Sequence, residues 1–251
     1  MPHHTAVGFA NLADATLANI DAVADDYLRL SNSKFISSDR LELLALMLGG
    51  ASMDYGYIDA PNLRCVTNPY IFPFNENATI PTDANFVDYS ERPLVLPPRQ
   101  EFGVKAYQDS AGASDSYFVM HLQRNFRPLP TGPIYTMRGT YSTAVTANAW
   151  SSLSSITWAD QLPAGDYVVC GLDVISATCL ACRIIPDKCP ERPGNFGLAA
   201  VTSRSNNLFR MGGSGAWCDF ENDLIPPVEV YCDSADSSFE VYMDIVQVSR
   251  R

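Results

Sequence analysis

Apolar residues in the last third of the chain occur in short runs that Gly, Pro, Asn and Asp residues separate. The clearest runs cover residues 167–175, 179–185, 228–232 and 239–248, and further strand signals lie at 103–108, 117–123, 134–142, 151–158 and 208–217. Runs of this length with no helical block between them are typical of an antiparallel sandwich or barrel. The pattern therefore predicts one antiparallel β-sandwich of about eight strands over residues 101–251.

The first 50 residues show a helical period instead. Between residues 10 and 31, apolar residues recur at steps of three and four, and Asn11 can cap the resulting helix. The recurring positions are Ala13, Leu17, Ile20, Ala24, Tyr27 and Leu28. This narrow stripe suits close packing, either on the helix's own domain or as an arm on another subunit.

A second helix is predicted at residues 39–48. Asp39 and Glu42 have the spacing of a capping box, and Gly49 and Gly50 supply a stop. Because the segment is apolar on nearly every side, the helix is expected to be buried in the domain or in an interface. The two helices together define a predicted helical N-terminal arm, residues 1–50.

Residues 51–100 are rich in proline and aromatic side chains. Seven prolines block helix and central strand, yet a flexible linker would not carry seven Tyr and Phe residues. We expect an extended, ordered segment that lies over a surface, part of which belongs to other copies of the protein.

The charge of the chain bears on its partners. A formal net charge of −11 disfavours strong nucleic-acid binding, because Lys and Arg supply most non-specific affinity for phosphate. Residues 211–249 contain eight acidic side chains and no Lys or Arg, which predicts an uncompensated acidic surface. The start lacks the positive charge of a signal peptide, and no apolar run reaches about 20 residues, so neither secretion nor membrane insertion is expected.

Catalytic candidates are few. His3, His4 and His121 are the only histidines, and His121 sits within a strand pattern, which favours a structural histidine. The chain contains none of the common nucleophile, phosphate-loop, dinucleotide or zinc-protease motifs. Residues 211–215 are glycine-rich but precede Trp217 rather than a helix, so they predict a tight turn. The chain is therefore not expected to be an enzyme.

Two groups of residues resemble metal ligands. Cys179, Cys182 and Cys189 have partial zinc spacing, but Cys179 and Cys182 should point to opposite faces of a strand, so buried reduced thiols are favoured over zinc or a disulfide. Acidic side chains alternate at Asp219, Glu221 and Asp223, and this cluster of oxygen ligands makes a Ca²⁺ site the single cofactor hypothesis.

The combination of two predicted helices, an extended segment and a C-terminal sandwich resembles a single-jelly-roll capsid protein of an icosahedral virus. Residues 162–169 resemble the turn and strand that enter such a domain, and residues 240–248 resemble its closing strand. The resemblance implies a structural protein in the virion that assembles in the host cytoplasm with other copies of itself and other capsid proteins, through arm and sandwich contacts. Unlike many coat proteins of RNA viruses, the chain has no basic N-terminal arm.

Two other classes of function remain open at this stage. A trimeric jelly-roll binding module, lectin-like or at a fibre tip, is compatible with the acidic loops and the aromatic residues. A carbohydrate-active enzyme is the third alternative, because jelly rolls host many functions and the fold does not choose among them.

Overall fold

The protein consists almost entirely of β-structure. The computed structural model describes residues 3–13, 15–50, 52–63, 70–71, 86–109, 113–187, 189–199 and 211–250. This part of the chain contains twenty strands, arranged in antiparallel sheets, and one 3₁₀ turn at Pro61–Leu63. The prediction of a mainly β, antiparallel protein is confirmed. The chain divides into an N-terminal unit, Ala6–Arg124, and a C-terminal unit formed by Met1–Thr5 and Asn125–Arg251.

The N-terminal unit contains strands β2 to β11 and all of β1 except its first three residues. Their bounds are β1 His3–Leu12, β2 Thr16–Ile20, β3 Arg29–Ser31, β4 Lys34–Ile36, β5 Leu41–Gly50, β6 Met53–Asp59, β7 Tyr70–Ile71, β8 Val87–Asp88, β9 Leu94–Leu96, β10 Glu101–Gln108 and β11 Ser114–Gln123. One sheet has the order β1-β11-β5-β8, and β9 also pairs with β5. The other has the order β3-β4-β10-β6-β7, and β2 also pairs with β10.

The core of the N-terminal unit lies between these two sheets. Alternate residues of β5, β10 and β11 point into one buried cluster that also takes side chains from β2, β4 and β6. Phe35 on β4 meets Phe118 on β11 edge to face, with ring centroids 6.3 Å apart, which joins one sheet to the other. Gly8 on the neighbouring strand β1 leaves room for the Phe118 ring, since a Cβ at this position would lie 2.1 Å from it.

The C-terminal unit contains strands β12 to β20. Their bounds are β12 Ile134–Tyr141, β13 Trp150–Leu153, β14 Thr157–Trp158, β15 Gly165–Ile175, β16 Cys179–Ile184, β17 Gly194–Phe196, β18 Cys218–Glu221, β19 Val228–Cys232 and β20 Phe239–Arg250. One sheet has the order β14-β12-β20-β15-β18, and the other has the order β13-β19-β16-β17. As predicted, Phe239, Val241, Met243 and Ile245 are buried along β20.

The two units share one strand order. In the C-terminal unit, β12, β13, β15, β16, β17, β18, β19 and β20 can be numbered one to eight, and the described sheets then read 1-8-3-6 and 2-7-4-5. In the N-terminal unit, β1, β2, β5, β6, β7, β8, β10 and β11 give the same two sequences. The prediction of a single sandwich that begins at residue 101 is therefore corrected. Strands β10 and β11 belong to the N-terminal unit, which has a pair of sheets of its own.

The predicted helix at residues 10–31 is wrong. This stretch holds the end of β1 and all of β2 and β3, and the loop before β3 is closed by Asp25, whose carboxylate accepts hydrogen bonds from the backbone N–H groups of Tyr27 and Leu28. Asn32 and Ser33 adopt positive φ in the tight turn between β3 and β4. The helical stripe came from strand residues separated by these turns.

The predicted helix at residues 39–48 is also wrong, because Leu41–Gly50 is strand β5. The strand pairs with β11 on one side and with β8 and β9 on the other, and it is buried along most of its length. The carboxylate of Asp39 accepts hydrogen bonds from Tyr27 Oη and Arg124 rather than capping a helix. The described residues between 3 and 50 therefore form strands of the two sheets and the turns between them, and no helix is found among these residues.

The segment 51–100 is only partly described, since residues 51, 64–69 and 72–85 lie outside the described residues. Its described part includes β6, which is a strand of the second sheet, with β10 on one side and β7 on the other. The boundaries predicted at residues 50 and 100 fall inside the N-terminal unit, whose last residue is Arg124.

Candidate functional site

The most distinctive surface of the N-terminal unit is a group of four tyrosines on the outer face of its second sheet, which we call the tyrosine face. It consists of Tyr55, Tyr57, Tyr70 and Tyr107. Tyr55 stacks on Tyr107 with ring centroids 5.5 Å apart and an interplanar angle of 14°, and Tyr70 meets Tyr55 and Tyr57 edge to face.

Strand alternation explains why these rings share a side. Along β6, Gly56 and Ile58 pair with core residues of β10, so Tyr55 and Tyr57 point the other way. Tyr107 is directly opposite Tyr55, and Tyr70 on β7 is opposite Tyr57. The Tyr70 side chain is 52% exposed, and Leu17, which lies opposite Tyr107 on β2, is 45% exposed. An apolar ring cluster with an exposed edge is the kind of surface that protein interfaces use.

A buried carboxylate with two lysines lies on the same outer face. The side chain of Asp59 is fully buried, and its Oδ2 lies 2.6 Å from Lys34 Nζ and 3.7 Å from Lys105 Nζ. A carboxylate taken out of water at this depth is costly unless cations and hydrogen bonds satisfy it. The two lysines therefore fix the end of β6 against β4 and β10, and we call this group the Asp59 cluster.

The acidic block of residues 211–249 is not uncompensated, which corrects the prediction from the sequence. Arginines from other parts of the C-terminal unit pair with it: Arg127 binds Asp219 through two hydrogen bonds of 2.8 and 2.7 Å, Arg138 binds Glu240, and Arg183 binds Glu229.

Neutral donors hold two further carboxylates of this block. Thr136 Oγ1 and the N–H of Met211 donate to Asp244, and the N–H groups of Ser237 and Ser238 donate to Asp236.

Hydrogen bonding also sets the titration of two of these acids. The Tyr242 hydroxyl donates to Glu240 and, with Arg138, holds the pKa of that carboxyl below its usual value. Burial raises the pKa of Asp236, but the donors Ser176, Ser237 and Ser238 outweigh it, and the net shift is downward. Both carboxylates are consequently stabilised in their charged form.

The residues of the Ca²⁺ hypothesis lie at the end of β18. Asp219 and Glu221 are on this strand, and Asp223 follows it. Both carboxylate oxygens of Asp219 accept hydrogen bonds from Arg127, so this side chain already has a cationic partner. Among the described residues, no group of three or more His, Cys, Asp or Glu side chains is placed to hold a metal ion. The Ca²⁺ site stays a hypothesis from the sequence.

The outer face of the sheet that contains β16 and β19 carries a stacked ion pair. Arg183 and Glu229 are directly opposite each other, with 2.8 Å between Nε and Oε2, and the Arg183 guanidinium lies 3.7 Å from the centre of the Trp150 ring. Only 3% of the Arg183 side chain is exposed. A planar guanidinium can stack on an aromatic ring and bind a carboxylate at its edge at the same time, so this group fixes three strands.

Three cysteines meet on the inner side of the same sheet. The pairing register of β16 and β19 shifts between Cys179 and Ala181, and this β-bulge turns Cys179 and Cys182 to the same side as Cys232. The expectation that Cys179 and Cys182 point to opposite faces is therefore wrong. Cys189 lies near Cys218 instead. Cys170, Cys179, Cys182, Cys218 and Cys232 are buried, as predicted, and their reduced state stays a prediction.

His121 and the glycine-rich turn lie as the sequence indicated. His121 is buried on β11. Met211, Gly212 and Gly215 have positive φ, and the turn holds the buried Trp217, whose Nε1 donates to Ser214 Oγ at 2.7 Å. Residues 211–217 are thus a turn and not the strand predicted at 208–217; residues 201–210 lie outside the described part.

The tyrosine face was missed from the sequence because Tyr55, Tyr57 and Tyr70 come from a segment interpreted as irregular, while Tyr107 comes from the strand predicted at 103–108. The alternation of Tyr55, Tyr57 and Asp59 was the available signal, since period two indicates a strand with one polar or amphipathic face.

Comparisons with known proteins add little to this picture. No protein-family model matches the chain, and no curated protein is similar to it at a significant level. Among solved structures the chain is similar to the major capsid protein P2 of bacteriophage PM2, at 9% sequence identity, over 99% of each chain and with a TM-score of 0.26. At this TM-score the similarity carries no argument about fold or function, so both are argued from the chain itself.

Proposed function

We propose that this chain is a structural protein that assembles with copies of itself, and specifically a capsid protein of an icosahedral virus built from two jelly rolls. One observation carries the proposal: both units have the strand orders 1-8-3-6 and 2-7-4-5. These orders are those of the jelly roll, an eight-stranded fold that recurs in viral capsid and lectin domains. The resemblance inferred from the sequence was to a single jelly roll, and the proposal extends it to two in tandem.

A jelly roll suits shell building for a physical reason. Its two sheets hold the apolar core between them, so the outer faces and the loops are available for contacts with neighbours. In this chain the tyrosine face offers such a contact. Large aromatic rings bury much area with few rotatable bonds, and they are enriched in protein interfaces. Contact through a helical arm is no longer part of the proposal, because the described residues between 3 and 50 form strands and turns.

The proposed partners are other copies of the chain and other capsid proteins, in the virion and during assembly in the host cytoplasm. We propose no catalytic step for the chain. Its net charge of −11 favours an arrangement in which other components contact the genome. Among the described residues, no helix has the length and hydrophobicity of a transmembrane segment.

The mass of the native protein tests this function. Light scattering coupled to gel filtration, over a range of concentrations and salt, should show capsomers that grow into closed particles, and electron microscopy should show their shape. A protein that stays monomeric at every concentration would contradict the proposal.

The contribution of the tyrosine face is tested by one substitution and a matched control. Tyr70→Ala removes its most exposed ring, and Tyr135→Ala removes a ring of similar exposure, 49%, in the C-terminal unit. We expect Tyr70→Ala to weaken assembly at least tenfold in critical concentration, and Tyr135→Ala to change it less than twofold. Equal effects of the two variants would exclude a specific role for this face.

A trimeric binding module is the second candidate, and the same tyrosine face favours it. Exposed, stacked rings beside polar groups also suit a ligand that has apolar and polar sides. This candidate predicts a stable trimer at all concentrations and saturable binding of a carbohydrate that Tyr70→Ala abolishes. Closed particles without carbohydrate binding would leave the capsid function as the better account.

A further inference from the structure

Cys179 and Cys232 face each other across two paired strands. They are directly opposite in the register of β16 and β19. Opposite residues of an antiparallel pair have Cα atoms about 4.5 to 5.5 Å apart, within the range of about 4.4 to 6.8 Å that a disulfide requires. Cys179 Sγ lies 3.3 Å from the Ala181 carbonyl oxygen, and the two thiols are close enough for each to shift the pKa of the other.

Both cysteines lie at strand ends next to exposed turns. Cys179 is the first residue of β16 and follows the exposed Ala177, while Cys232 is the last residue of β19 and precedes the exposed Ser234. The N–H of Asp233 donates to the carbonyl oxygen of Thr178 at 3.1 Å and closes this end of the sheet. Strand ends open locally at a lower free energy than strand centres, which gives a small oxidant access to thiols that are buried in the closed state.

We propose that Cys179 and Cys232 form a reversible disulfide when the protein meets a small peroxide. The Cys232 thiolate attacks one oxygen of hydrogen peroxide, the O–O bond breaks, and the departing hydroxide takes a proton to become water, which leaves a sulfenic acid on Cys232. The Cys179 sulfur then attacks the Cys232 sulfur, the S–O bond breaks, and a second water leaves with the Cys179 proton. Two thiols lose two electrons in total, and one peroxide is reduced to two waters.

The environment of the thiols assigns these two roles. Hydrogen bonds from Cys179 and from Thr178 lower the pKa of Cys232, which favours the nucleophilic thiolate. The interaction with Cys232, followed by burial, raises the pKa of Cys179, so this thiol keeps its proton. Burial raises the pKa of the neighbouring Cys182, and no hydrogen bond to another thiol orients it. Cys182 is therefore close to the pair without belonging to it.

The test uses the full chain, reduced, desalted and then treated with hydrogen peroxide below its melting temperature. We expect the loss of two of the seven thiols and one bridge that joins the tryptic peptides 139–183 and 211–250. Closing a loop of about 50 residues should raise the melting temperature by roughly 5 to 10 °C, and dithiothreitol should reverse the change.

Single substitutions identify the bridge, because each of these tryptic peptides contains more than one cysteine. Cys179→Ala or Cys232→Ala should abolish the linked peptides. The matched variants Cys170→Ala, Cys182→Ala and Cys218→Ala, each lacking another buried thiol of the same peptides, should retain them. A bridge that Cys182→Ala abolishes, or a wild-type thiol count that peroxide leaves at seven, would overturn the proposal. This outcome is independent of whether the chain assembles into a shell.

Discussion

The Asp59 cluster provides the sharpest test of how the N-terminal unit is held together. Removing the nearer lysine with Lys34→Met leaves a fully buried carboxylate with Lys105 at 3.7 Å. At an effective dielectric constant of about 20, the attraction is about 6 kcal/mol for the 2.6 Å contact and about 4.5 kcal/mol for the 3.7 Å contact. Because desolvation offsets much of this, and breaking a buried pair costs about 3 to 5 kcal/mol, we expect a loss of about 3 kcal/mol.

A double-mutant cycle separates this charge effect from lost packing. In the Asp59→Asn background the buried site carries no charge, so Lys34→Met should cost less than about 1 kcal/mol there, which gives a coupling of about 2 kcal/mol. Urea unfolding followed by circular dichroism measures each free energy of unfolding. All three tryptophans lie in the C-terminal unit, so their fluorescence does not report on this site.

The exposed pair of Arg40 and Glu42 supplies the control. Its nitrogen and oxygen are 3.4 Å apart, and 64% of the Arg40 side chain is exposed. Arg40→Met should therefore change the free energy of unfolding by less than about 0.5 kcal/mol. If Lys34→Met cost no more than Arg40→Met, the reasoning about a buried, lysine-dependent carboxylate would be refuted.

Three further predictions concern packing, acid stability and metal. Gly8→Ala should destabilise the protein by about 1 to 3 kcal/mol, because the new methyl group meets the Phe118 ring, and Phe118→Leu should relieve part of that cost in urea unfolding. Since the Tyr242 hydrogen bond lowers the folded-state pKa of Glu240, its stabilisation is present above the unfolded pKa of about 4.3 and is lost as pH falls through the lower folded value. Glu240→Gln should thus flatten the decline of the melting temperature below pH 5. Because Arg127 holds Asp219, EDTA at fixed ionic strength should leave the melting temperature unchanged, and a fall would support the Ca²⁺ hypothesis instead.

The fold class could be predicted from the sequence because strand alternation is a local signal. Phe239, Val241 and Met243 alternate with polar or amphipathic residues, and this segment forms strand β20 as the alternation predicts. The assignment failed where that signal is ambiguous. Residues 43–48 form a continuous apolar run, and periodicity alone cannot distinguish a fully buried strand from a buried helix. The segment is a strand because it pairs with β11 on one side and with β8 and β9 on the other, and these partner strands lie far along the chain.

The candidate surfaces were less accessible from the sequence because they depend on register. The tyrosine face requires Tyr55 opposite Tyr107, about 50 residues apart, and such pairings have no local signature. The cysteine pair depends on one extra residue in β16, which reversed a face assignment based on strict alternation. The acidic block was counted correctly along the chain, but its arginine partners come from elsewhere in the C-terminal unit.

The shared strand order has a consequence for synthesis. In each unit the first strand is a neighbour of the last: β1 lies beside β11, and β12 lies beside β20. About 100 residues separate the partners in both cases, so at about 5 to 20 residues per second the ribosome needs roughly 5 to 20 s before the last strand emerges. During that interval the opening strand has no partner for one of its edges, and such an edge can pair with another nascent chain. Slow codons or chaperone binding just after β1 and β12 would therefore affect the yield of native protein more than the same changes after β11.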